Sequence, residues 1–352
     1  MTAQPGCEIW KMELPLPRVI GTPGGSFDRV HAVALRLRDG DGNEGAAYAS
    51  MQDAPGMHRV ADIMAGLIAE RGADPDALIE IERNAAEASA SHAGRSALSA
   101  ISLAAWDMLG RRRGVPCAAL WDSAPRVALG AYASFFFNDL SPEALVEEAR
   151  HYRAQGFRMA KMRAGLPGTQ DEARYAAMCE VFDAPRAVAV EAFFTFTGDR
   201  VARFMQGCDA PPMWIEDPMR YGAIGQVAHK DLIGAGESCT TLTELLALRR
   251  SGIDRLILDV QYLGGPLRFL EAARTLRAMG AEIGSHVFTH ESLHLLAALP
   301  ASLPVEVFDW WQPIFREAPS PDADGRLQVR GPGFGRTLDE DNLRRFGEMV
   351  VL

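Results

Sequence analysis

The sequence contains few cysteines, and their spacing is not that of a metal site or a disulfide framework. The five cysteines are scattered through 352 residues without a Cys-x-x-Cys pair. Structural zinc sites and small disulfide-bonded domains need closely spaced cysteines, so the sequence argues against both classes. Scattered thiols are instead typical of a protein in a reducing, cytoplasmic compartment.

Long apolar runs and an excess of positive charge are also lacking. No uncharged segment reaches the roughly 20 residues that span a bilayer, and the segment MTAQPGCEIWKMELPLPR lacks the basic start and apolar run of a signal peptide. The formal net charge is −10, whereas nucleic acids and anionic membranes attract basic surfaces. We therefore expect neither as a partner, and an anionic small molecule would need local cations or a metal ion.

The overall composition and the length of the chain predict a soluble protein of two domains. Apolar residues make up 48% of the chain and charged residues 23%, which is ordinary for a globular protein with a large core. Near the N-terminus, Val30–Arg38 and Glu44–Ser50 predict two paired strands, with loops at 19–28 and 51–57. Apolar residues three and four apart then predict helices from 59 to 114. The first domain is therefore expected to be α+β.

From Val127 onward, short apolar strands alternate with amphipathic helices. This alternation predicts parallel βα units that close into a barrel. We expect an α/β protein with an α+β capping domain over residues 1–124, completed by a tail at 318–352, and a barrel over 125–317. The predicted barrel strands are Val127–Ala133, Arg158–Met162, Ala187–Glu191, Met213–Ile215, Leu232–Ala235, Arg255–Val260, Glu282–Ser285 and Val305–Phe308.

Three of these strands end at a glutamate, namely Glu191, Glu216 and Glu237. Neighbouring parallel strands lie about 4.8 Å apart, so the three carboxylates should meet at the C-terminal rim of the barrel, where barrel enzymes hold their chemistry. Carboxylates that meet in a pocket repel one another unless they are protonated or share a cation, and Mg²⁺ prefers such oxygen ligands. The alternative is that each glutamate caps a helix or pairs with a surface lysine.

Basic and imidazole side chains follow other strands. Lys161 and Arg163 alternate along one strand and so point to the same side, where they suit an anionic substrate, although a solvated basic pair is the alternative. His286 follows the seventh strand and Asp259 ends the sixth, so an Asp–His hydrogen bond is expected, and such a pair suits a general base. Glu306 ends the eighth strand and is a candidate hydrogen-bonding partner of the substrate.

Two further sets of side chains have less specific interpretations. His290 and His294 follow His286 at helical spacing and are expected on a helix face. Asp309, like Glu306, stands at the eighth strand end as a possible substrate contact or helix-cap substitute. Phe193, Phe194 and Phe196 indicate that part of the pocket wall is apolar.

Taken together, these pieces resemble the enolase superfamily, specifically its mandelate racemase/muconate lactonizing enzyme-like branch. The resemblance covers nearly the whole chain and extends to ISLAAWDMLGRRRGVP, which is similar to the helix that links cap and barrel in that family. The order and spacing of the pieces make it specific. The pieces are AKMR (Lys161, Arg163), AVEAF (Glu191), WIEDP (Glu216), AGES (Glu237), LILDVQYLGG (Asp259) and GSHVFTHESLHLLAALP (His286).

The resemblance implies a (β/α)7β barrel and a Mg²⁺-dependent mechanism, in which a base removes the proton α to a carboxylate and the metal stabilises the enediolate. The metal ligands would be Glu191, Glu216 and Glu237, and His286 with Asp259 would be the catalytic dyad. Lys161 would neutralise the substrate carboxylate and Glu306 would hydrogen-bond it. The loops at 19–28 and 51–57 would cover the pocket, and assembly into homo-oligomers would be expected.

The sequence departs from the family pattern at three positions. Glu191 stands where the family usually has Asp, and Phe193 stands where Asn or His is frequent. Arg163 replaces the second lysine of a Lys-x-Lys pair, and an arginine stays protonated at neutral pH. Racemisation needs a base on each face of the α-carbon, so these residues favour a dehydratase of a hydroxylated or sugar-acid carboxylate. A racemase or epimerase and a binding protein without catalysis are the alternatives.

Overall fold

The computed structural model of the protein describes residues 6–84, 90–183, 185–308 and 310–350. Asp309 lies outside these ranges. The N-terminal part forms an antiparallel sheet from β1 (Gly6–Thr22), β2 (Gly25–Arg38) and β3 (Glu44–Met51), which β13 (Gly347–Val350) extends along β1 in the order β13-β1-β2-β3. The sheet therefore joins the two ends of the described chain.

The segment at 19–28 is a β-hairpin, so the prediction of a mobile loop is wrong. Ile20 pairs with Phe27 and Thr22 with Gly25. Gly25 adopts a φ of 128°, which a residue with a side chain rarely reaches. The predicted loop at 51–57 is also shorter than expected, because β3 runs to Met51 and the next helix begins at Ala54.

Four helices follow this sheet: α1 (Ala54–Arg71), α2 (Pro75–Asn84), α3 (His92–Arg113) and α4 (Ala118–Trp121). The long helix α3 is buried over most of its length, and Gly114 ends it in the left-handed conformation. Its buried Asp107 accepts hydrogen bonds from the backbone N–H groups of Ala46 at 2.9 Å and Phe334 at 2.7 Å. One carboxylate thus fastens the helix to the first sheet and to the C-terminal tail.

The second part is a barrel of eight parallel strands, which confirms the predicted fold. The strands occur in the order β10-β9-β8-β7-β6-β5-β4-β11, and the N–H of Leu303 donates to the carbonyl of Ile283 at 2.8 Å between the two ends of this order. The bounds are β4 (Ala128–Ala133), β5 (Met159–Arg163), β6 (Val188–Glu191), β7 (Ile215–Glu216), β8 (Ile233–Ala235), β9 (Arg255–Leu258), β10 (Glu282–Ser285) and β11 (Val305–Val307).

Helices connect each barrel strand to the next, and their N-termini follow from ordinary capping chemistry. Ser141 and Thr241 cap the first and the fifth of them, and Thr241 forms a capping box with Glu244. The helices are α5 (Pro142–Ala154), α6 (Asp171–Phe182), α7 (Gly198–Gly207), α8 (Tyr221–Ile224), α9 (Leu242–Arg250), α10 (Val260–Leu263), α11 (Pro266–Ala278) and α12 (Thr289–Ala297).

The C-terminal tail contacts both parts of the molecule. It contains β12 (Arg326–Gln328), which pairs antiparallel with β4, and α13 (Glu340–Phe346), which leads into β13. A buried ion pair joins Arg336 of the tail to Glu291 of α12. The domain boundaries at residues 124 and 317 stay a prediction. No helix in the described ranges is both long and apolar enough to cross a membrane.

Candidate active site

Three carboxylates meet at the C-terminal rim of the barrel. Glu191 ends β6, Glu216 ends β7, and Glu237 follows β8 by two residues. One oxygen of each lies within 4.8 Å of the others. Glu191 and Glu216 are buried, whereas the Glu237 side chain is 20% exposed. The rim therefore presents an all-oxygen ligand set with one accessible side.

Two of the three carboxylates are held by neighbours in sequence. The N–H of Phe193 donates to Glu191 Oε1 at 2.8 Å, and Phe193 adopts a φ of 48° to do so. The indole Nε1 of Trp214 donates to Glu216 Oε2 at 2.7 Å. Strand alternation places residues 214 and 216 on one face, so the sequence contained a signal for Trp214 that the prediction did not use.

The third carboxylate, Glu237, is positioned through its backbone. The hydroxyl of Tyr221 accepts hydrogen bonds from the N–H groups of Gly236 at 3.0 Å and Ser238 at 3.4 Å, on either side of Glu237. The same hydroxyl donates to Asp217 Oδ2 at 2.9 Å. Tyr221 thus ties the strand end that carries Glu237 to the one that carries Glu216. No sequence signal pointed to it.

The carboxylates oppose one another's ionisation. Burial and repulsion from Glu216 and Glu237 raise the pKa of Glu191 well above its usual value. Burial and the charge of Glu216 likewise raise the pKa of Glu237 to about 7, against the attraction of His286. Burial also disfavours the ionised form of Glu216, but attraction to Lys161 outweighs it and lowers the pKa. A hard divalent cation fits this donor set. It would offset the repulsion among the three carboxylates, which Lys161 alone does not neutralise.

Lys161 lies beneath this cluster and is 1% exposed. Its Nζ is 2.5 Å from Glu216 Oε1, 2.9 Å from Glu306 Oε1 and 3.8 Å from Glu191 Oε2. Burial opposes the charge of the ammonium group, but Glu216 and Glu306 raise its pKa well above the ordinary value. Lys161 therefore stays protonated, and its positive charge lies directly beneath the three carboxylates.

Arg163 lies on the same side of β5 and has no carboxylate partner within 4 Å among the described residues. Its Nη1 donates to Ser134 Oγ at 2.7 Å, and its guanidinium lies 5.0 Å from the ring centroid of Phe137 and 5.5 Å from that of Phe308. Its Nε is buried and has no hydrogen-bond partner in the described part of the chain. The same Nη1 also lies within hydrogen-bond distance of the carbonyls of Phe135 at 3.4 Å and Lys161 at 3.3 Å. Arg163 is thus a cation held by neutral oxygens and by aromatic rings.

His286 and Asp259 form a dyad across neighbouring strands. His286 Nδ1 lies 2.7 Å from Asp259 Oδ2, while Oδ1 of the same carboxylate accepts from the N–H groups of Gln261 at 2.7 Å and Tyr262 at 2.8 Å. The other ring nitrogen, Nε2, faces Glu237 Oε2 at 3.5 Å. Burial disfavours the imidazolium, but Glu237 and Asp259 outweigh it and raise the pKa of His286 to about 10. The Nε2 edge of the imidazole is therefore the one that faces the carboxylate cluster.

Glu306 is fully buried and already bonded by the protein. Oε1 accepts from Ser134 Oγ at 2.5 Å, and Oε2 accepts from the N–H of Val287 at 2.7 Å. Burial opposes its ionisation, but Lys161 and His286 lower its pKa to about 2. Glu306 is therefore an anion that can only accept hydrogen bonds. Ser134, which links it to Arg163, was not predicted, although a polar residue directly after a buried strand is a readable signal.

The remaining predicted residues divide between the pocket and the surrounding structure. Phe193 packs against the buried cluster of Ile20, Phe137 and Phe308, whereas Phe194 contacts Tyr221 and Phe196 packs against Phe204 of α7. Only Phe193 of the three therefore joins an apolar wall at the rim. His290 and His294 lie on α12, as predicted, and bond the carbonyl of Glu317 and the N–H of Ala118.

Comparison with known proteins places this geometry in a family. Residues 144–342 match the family described as enolase C-terminal domain-like. The 3,6-anhydro-alpha-L-galactonate cycloisomerase of Streptomyces coelicolor is 26% identical over 367 residues, covering 96% of this chain and 97% of that protein. The L-talarate/galactarate dehydratase of Salmonella typhimurium is 28% identical over 330 residues, covering 88% of this chain and 80% of that protein.

A solved structure supports the same relationship over the whole fold. A racemase from Streptomyces coelicolor, solved with bound magnesium, is 25% identical and superposes with a TM-score of 0.85, covering 99% of this chain and 100% of that one. The family match spans more than half of the chain, and it includes the described strand ends from β5 to β11. The chain belongs to the enolase C-terminal domain-like family, within its mandelate racemase/muconate lactonizing enzyme-like branch.

Proposed function

We propose that the protein is a Mg²⁺-dependent dehydratase that removes water from a hydroxylated carboxylic acid. The observation that carries the proposal is the His286–Asp259 dyad, whose Nε2 edge faces a cluster of three carboxylates. The similarity to L-talarate/galactarate dehydratase supports a sugar-acid type of reaction, and the magnesium in the related racemase supports the choice of metal.

The proposed metal ligands are Glu191, Glu216 and Glu237. A bound Mg²⁺ would supply positive charge that partly neutralises Glu237 and makes the C–H bond α to the substrate carboxylate more acidic. With Glu237 partly neutralised, His286 would give up its proton more easily. Lys161 adds a fixed positive charge at the floor of the site, and Arg163 adds a second at its side. These cations orient the substrate carboxylate, while Glu306 accepts a hydrogen bond from a protonated substrate oxygen.

His286 carries out the proton transfers. Asp259 accepts from Nδ1–H, which fixes the tautomer and leaves Nε2 unprotonated as the base. Nε2 takes the α-proton, and the electron pair of the broken C–H bond moves onto the carboxylate carbon and its oxygens. The imidazolium then returns its proton to the β-hydroxyl, the C–O bond breaks, and water leaves. The electron pair held in the enediolate forms the Cα–Cβ double bond, and the C–O pair leaves with the water. When the substrate also carries an α-hydroxyl, the product is an enol that tautomerises to a 2-keto acid, so atoms and charge balance.

The absence of a second competent base among the described pocket residues favours dehydration over racemisation. Glu216 and Glu306 hold the proton on Lys161, and a guanidinium does not deprotonate at neutral pH. A racemase or epimerase remains the second candidate because a racemase structure superposes on nearly the whole chain. It would need Lys161 or Arg163 to act on the opposite face of the α-carbon.

The test is a screen of hydroxylated acids with Mg²⁺ in D₂O, followed by NMR and a keto-acid assay. The proposal expects a 2-keto acid from at least one acid with both an α- and a β-hydroxyl, no product after chelation by EDTA, and recovery on adding Mg²⁺. Deuterium in both enantiomers of recovered substrate, without keto acid, would instead support the racemase. Tight binding of acids without exchange or product would contradict both and support a binding protein.

The proposal also includes a cytoplasmic location and assembly into homo-oligomers. The five free cysteines fit a reducing cytoplasm. Assembly into homo-oligomers is also proposed, on the resemblance to a family in which assemblies are frequent. Light scattering of the purified protein tests the second point, and a single monomeric species at micromolar concentration would contradict it.

A further inference from the structure

The rim of the barrel carries a patch of aromatic side chains that the proposed reaction does not use. Phe137 follows β4, Phe193 follows β6, and Phe308 and Trp310 follow β11. The tip of the β1–β2 hairpin adds two side chains from the capping part. We call this set the aromatic wall, and its members are Ile20, Phe27, Phe137, Phe193, Phe308 and Trp310.

Trp310 lies at the centre of the aromatic wall. Its ring stacks on Phe137 with centroids 5.1 Å apart, and it meets Phe308 at 4.5 Å and Phe27 at 5.2 Å in edge-to-face geometry. Ile20, Phe137 and Phe308 are buried, while Phe27, Phe193 and Trp310 are partly exposed. The wall therefore has a packed base and an accessible apolar face.

The aromatic wall begins at the reacting centre. The N–H of Phe193 bonds the carboxylate of Glu191, and Phe308 stands two residues after Glu306. Arg163 lies against Phe137 and Phe308, and in the strand register it pairs with Glu191. A substrate whose carboxylate lies beside Arg163, and beside a cation held by the three glutamates, would have its remaining carbons directed along the wall or toward the opposite, polar side of the rim.

The charged groups beside the hairpin do not change the apolar character of this face. Asp139 Oδ2 accepts from Arg18 at 2.7 Å and from the N–H of Gly21 at 2.9 Å, so this pair is satisfied within the protein. The hydroxyl groups of a sugar acid lose their bonds to water when they enter a site, and each one left without a partner costs about 1–3 kcal/mol. Apart from the indole N–H of Trp310, the described members of the wall offer ring faces and methyl groups in place of such partners.

From this geometry we infer that the substrate carries an aryl or branched alkyl group beyond its β-carbon, and is not a polyhydroxylated diacid. The inference rests on the proposed function for the reacting end and concerns the other end of the molecule. Talarate and galactarate, named for the relative, carry hydroxyl groups on every inner carbon and a second carboxylate. An apolar group of ring size would instead bury its surface against Phe193 and Trp310, at about 25 cal/mol per Å².

The first experiment compares matched acids on the Mg²⁺-loaded protein. 2,3-Dihydroxy-3-phenylpropanoate, galactarate and gluconate are supplied as substrates, and kcat/KM for keto-acid formation is measured. In parallel, calorimetry measures binding of 2-hydroxy-2-methyl-3-phenylpropanoate, which has no α-proton, against galactarate. We expect at least tenfold preference for the aryl acid in both assays. Equal or weaker binding of the aryl acid overturns the inference.

The two measurements separate failure of the inference from failure of the proposed function. Faster dehydration of galactarate would overturn the inference and leave the dehydratase standing. Preferential binding of the aryl acid with no turnover of any acid would support the inference and contradict the dehydratase.

Two variants test whether the aromatic wall is the cause. Trp310→Ala should reduce the preference for the aryl acid at least tenfold, and Trp310→Phe should restore most of it. Phe193→Asn adds a polar group while tolerating the left-handed backbone at this position, so it should shift preference toward gluconate and remains informative if Trp310→Ala unfolds. Unchanged preference in the folded Phe193→Asn protein, or in a folded Trp310→Ala protein, would overturn the inference.

Discussion

The two halves of the barrel rim carry different kinds of side chain, charged in one half and aromatic in the other. At the ends of β7 to β10 the chain places Glu216, Glu237, Asp259 and His286, which are held by hydrogen bonds and ion pairs of 2.5–3.5 Å. On the other side lies the aromatic wall, which follows β4, β6 and β11, is joined by the tip of the β1–β2 hairpin, and has ring centroids 4.5–6.4 Å apart. Glu191 and Glu306, which lie in β6 and β11, belong with the polar groups. The contrast separates a polar half suited to proton and metal chemistry from an apolar half suited to selecting a substrate.

The halves also differ in how much change they should tolerate. Each group of the polar half depends on a named donor or acceptor, so removal of one atom leaves a buried partner unsatisfied. The aromatic wall depends on area and shape, which similar side chains reproduce. Substitutions in the polar half should therefore reduce the rate for every substrate, whereas those in the wall should change the ranking of substrates.

Among the substitutions in the polar half, Asp259→Asn is expected to reduce kcat most. Asn still caps α10, so the free energy of unfolding should change little. Its amide would donate to His286 Nδ1 and leave the proton on Nε2, which removes the base. We expect kcat to fall about 10³-fold for all acids, measured with Mg²⁺ at saturating substrate. A loss below tenfold would contradict the assigned role of the dyad.

Glu191→Gln should weaken the metal site next most strongly. The amide offers one neutral oxygen in place of a carboxylate, so Mg²⁺ affinity measured by calorimetry should fall at least about 100-fold, since loss of an outer positioning group alone costs roughly 10–100-fold. Glu147→Gln makes the same chemical change on the exposed surface of α5 and should leave affinity unchanged. Equal affinity of the two variants would rule out Glu191 as a ligand.

Tyr221→Phe should have a smaller effect on the same site. It removes the hydroxyl that holds the backbone on both sides of Glu237, so Mg²⁺ should bind the folded protein about tenfold more weakly. The free energy of unfolding should also fall by about 1–3 kcal/mol, because Asp217 and Gly236 lose a partner. A stability loss with unchanged Mg²⁺ affinity would reduce Tyr221 to a structural residue.

A buried carboxyl group outside both halves gives the smallest expected effect on catalysis. Glu82 of α2 accepts from the N–H groups of Leu267 at 2.8 Å and Arg268 at 3.1 Å, and burial raises its pKa from 4.5 to about 7. A raised acid pKa means that the folded state holds the proton more tightly, so stability is full below pH 4.5 and falls as pH rises toward 7.

Glu82→Gln should therefore flatten the pH dependence of the unfolding free energy between pH 4.5 and 7, measured by denaturant titration, with kcat unchanged. The amide oxygen can still accept from the start of α11. A variant that keeps the full pH-dependent decline would show that another group causes it.

The sequence predicted the strands and the polar half well because both are local patterns. Apart from β4 and β11, each apolar run that forms a barrel strand is short and reaches a carboxylate, basic or imidazole residue at its end or within two residues of it, and parallel strands bring such endings to one rim. The spacing of Asp259 and His286 on successive strands was enough to predict their contact. Lys161 was placed on the correct strand, but its enclosure by three carboxylates depends on the barrel packing and could not be read from its neighbours.

The aromatic wall could not be predicted as a unit, since it joins residues far apart in the chain. Phe27 meets Trp310 only because a hairpin forms at 19–28, where a loop was expected. Phe193 faces the wall because its backbone adopts a left-handed φ, which is uncommon for an aromatic residue. Ser134 and Trp214 had usable signals at strand ends, whereas Tyr221 depends on the path of the chain after Pro218.

Proton exchange α to the carboxylate tests the central assignment most directly. Wild-type protein and His286→Asn are incubated with Mg²⁺ and the preferred acid in D₂O, and loss of the α-proton signal is followed by NMR. The polar half as assigned predicts exchange or conversion by the wild type and a decrease of about 10³-fold in the variant, with Mg²⁺ affinity retained. Full exchange by His286→Asn would contradict the assignment of His286 as the base.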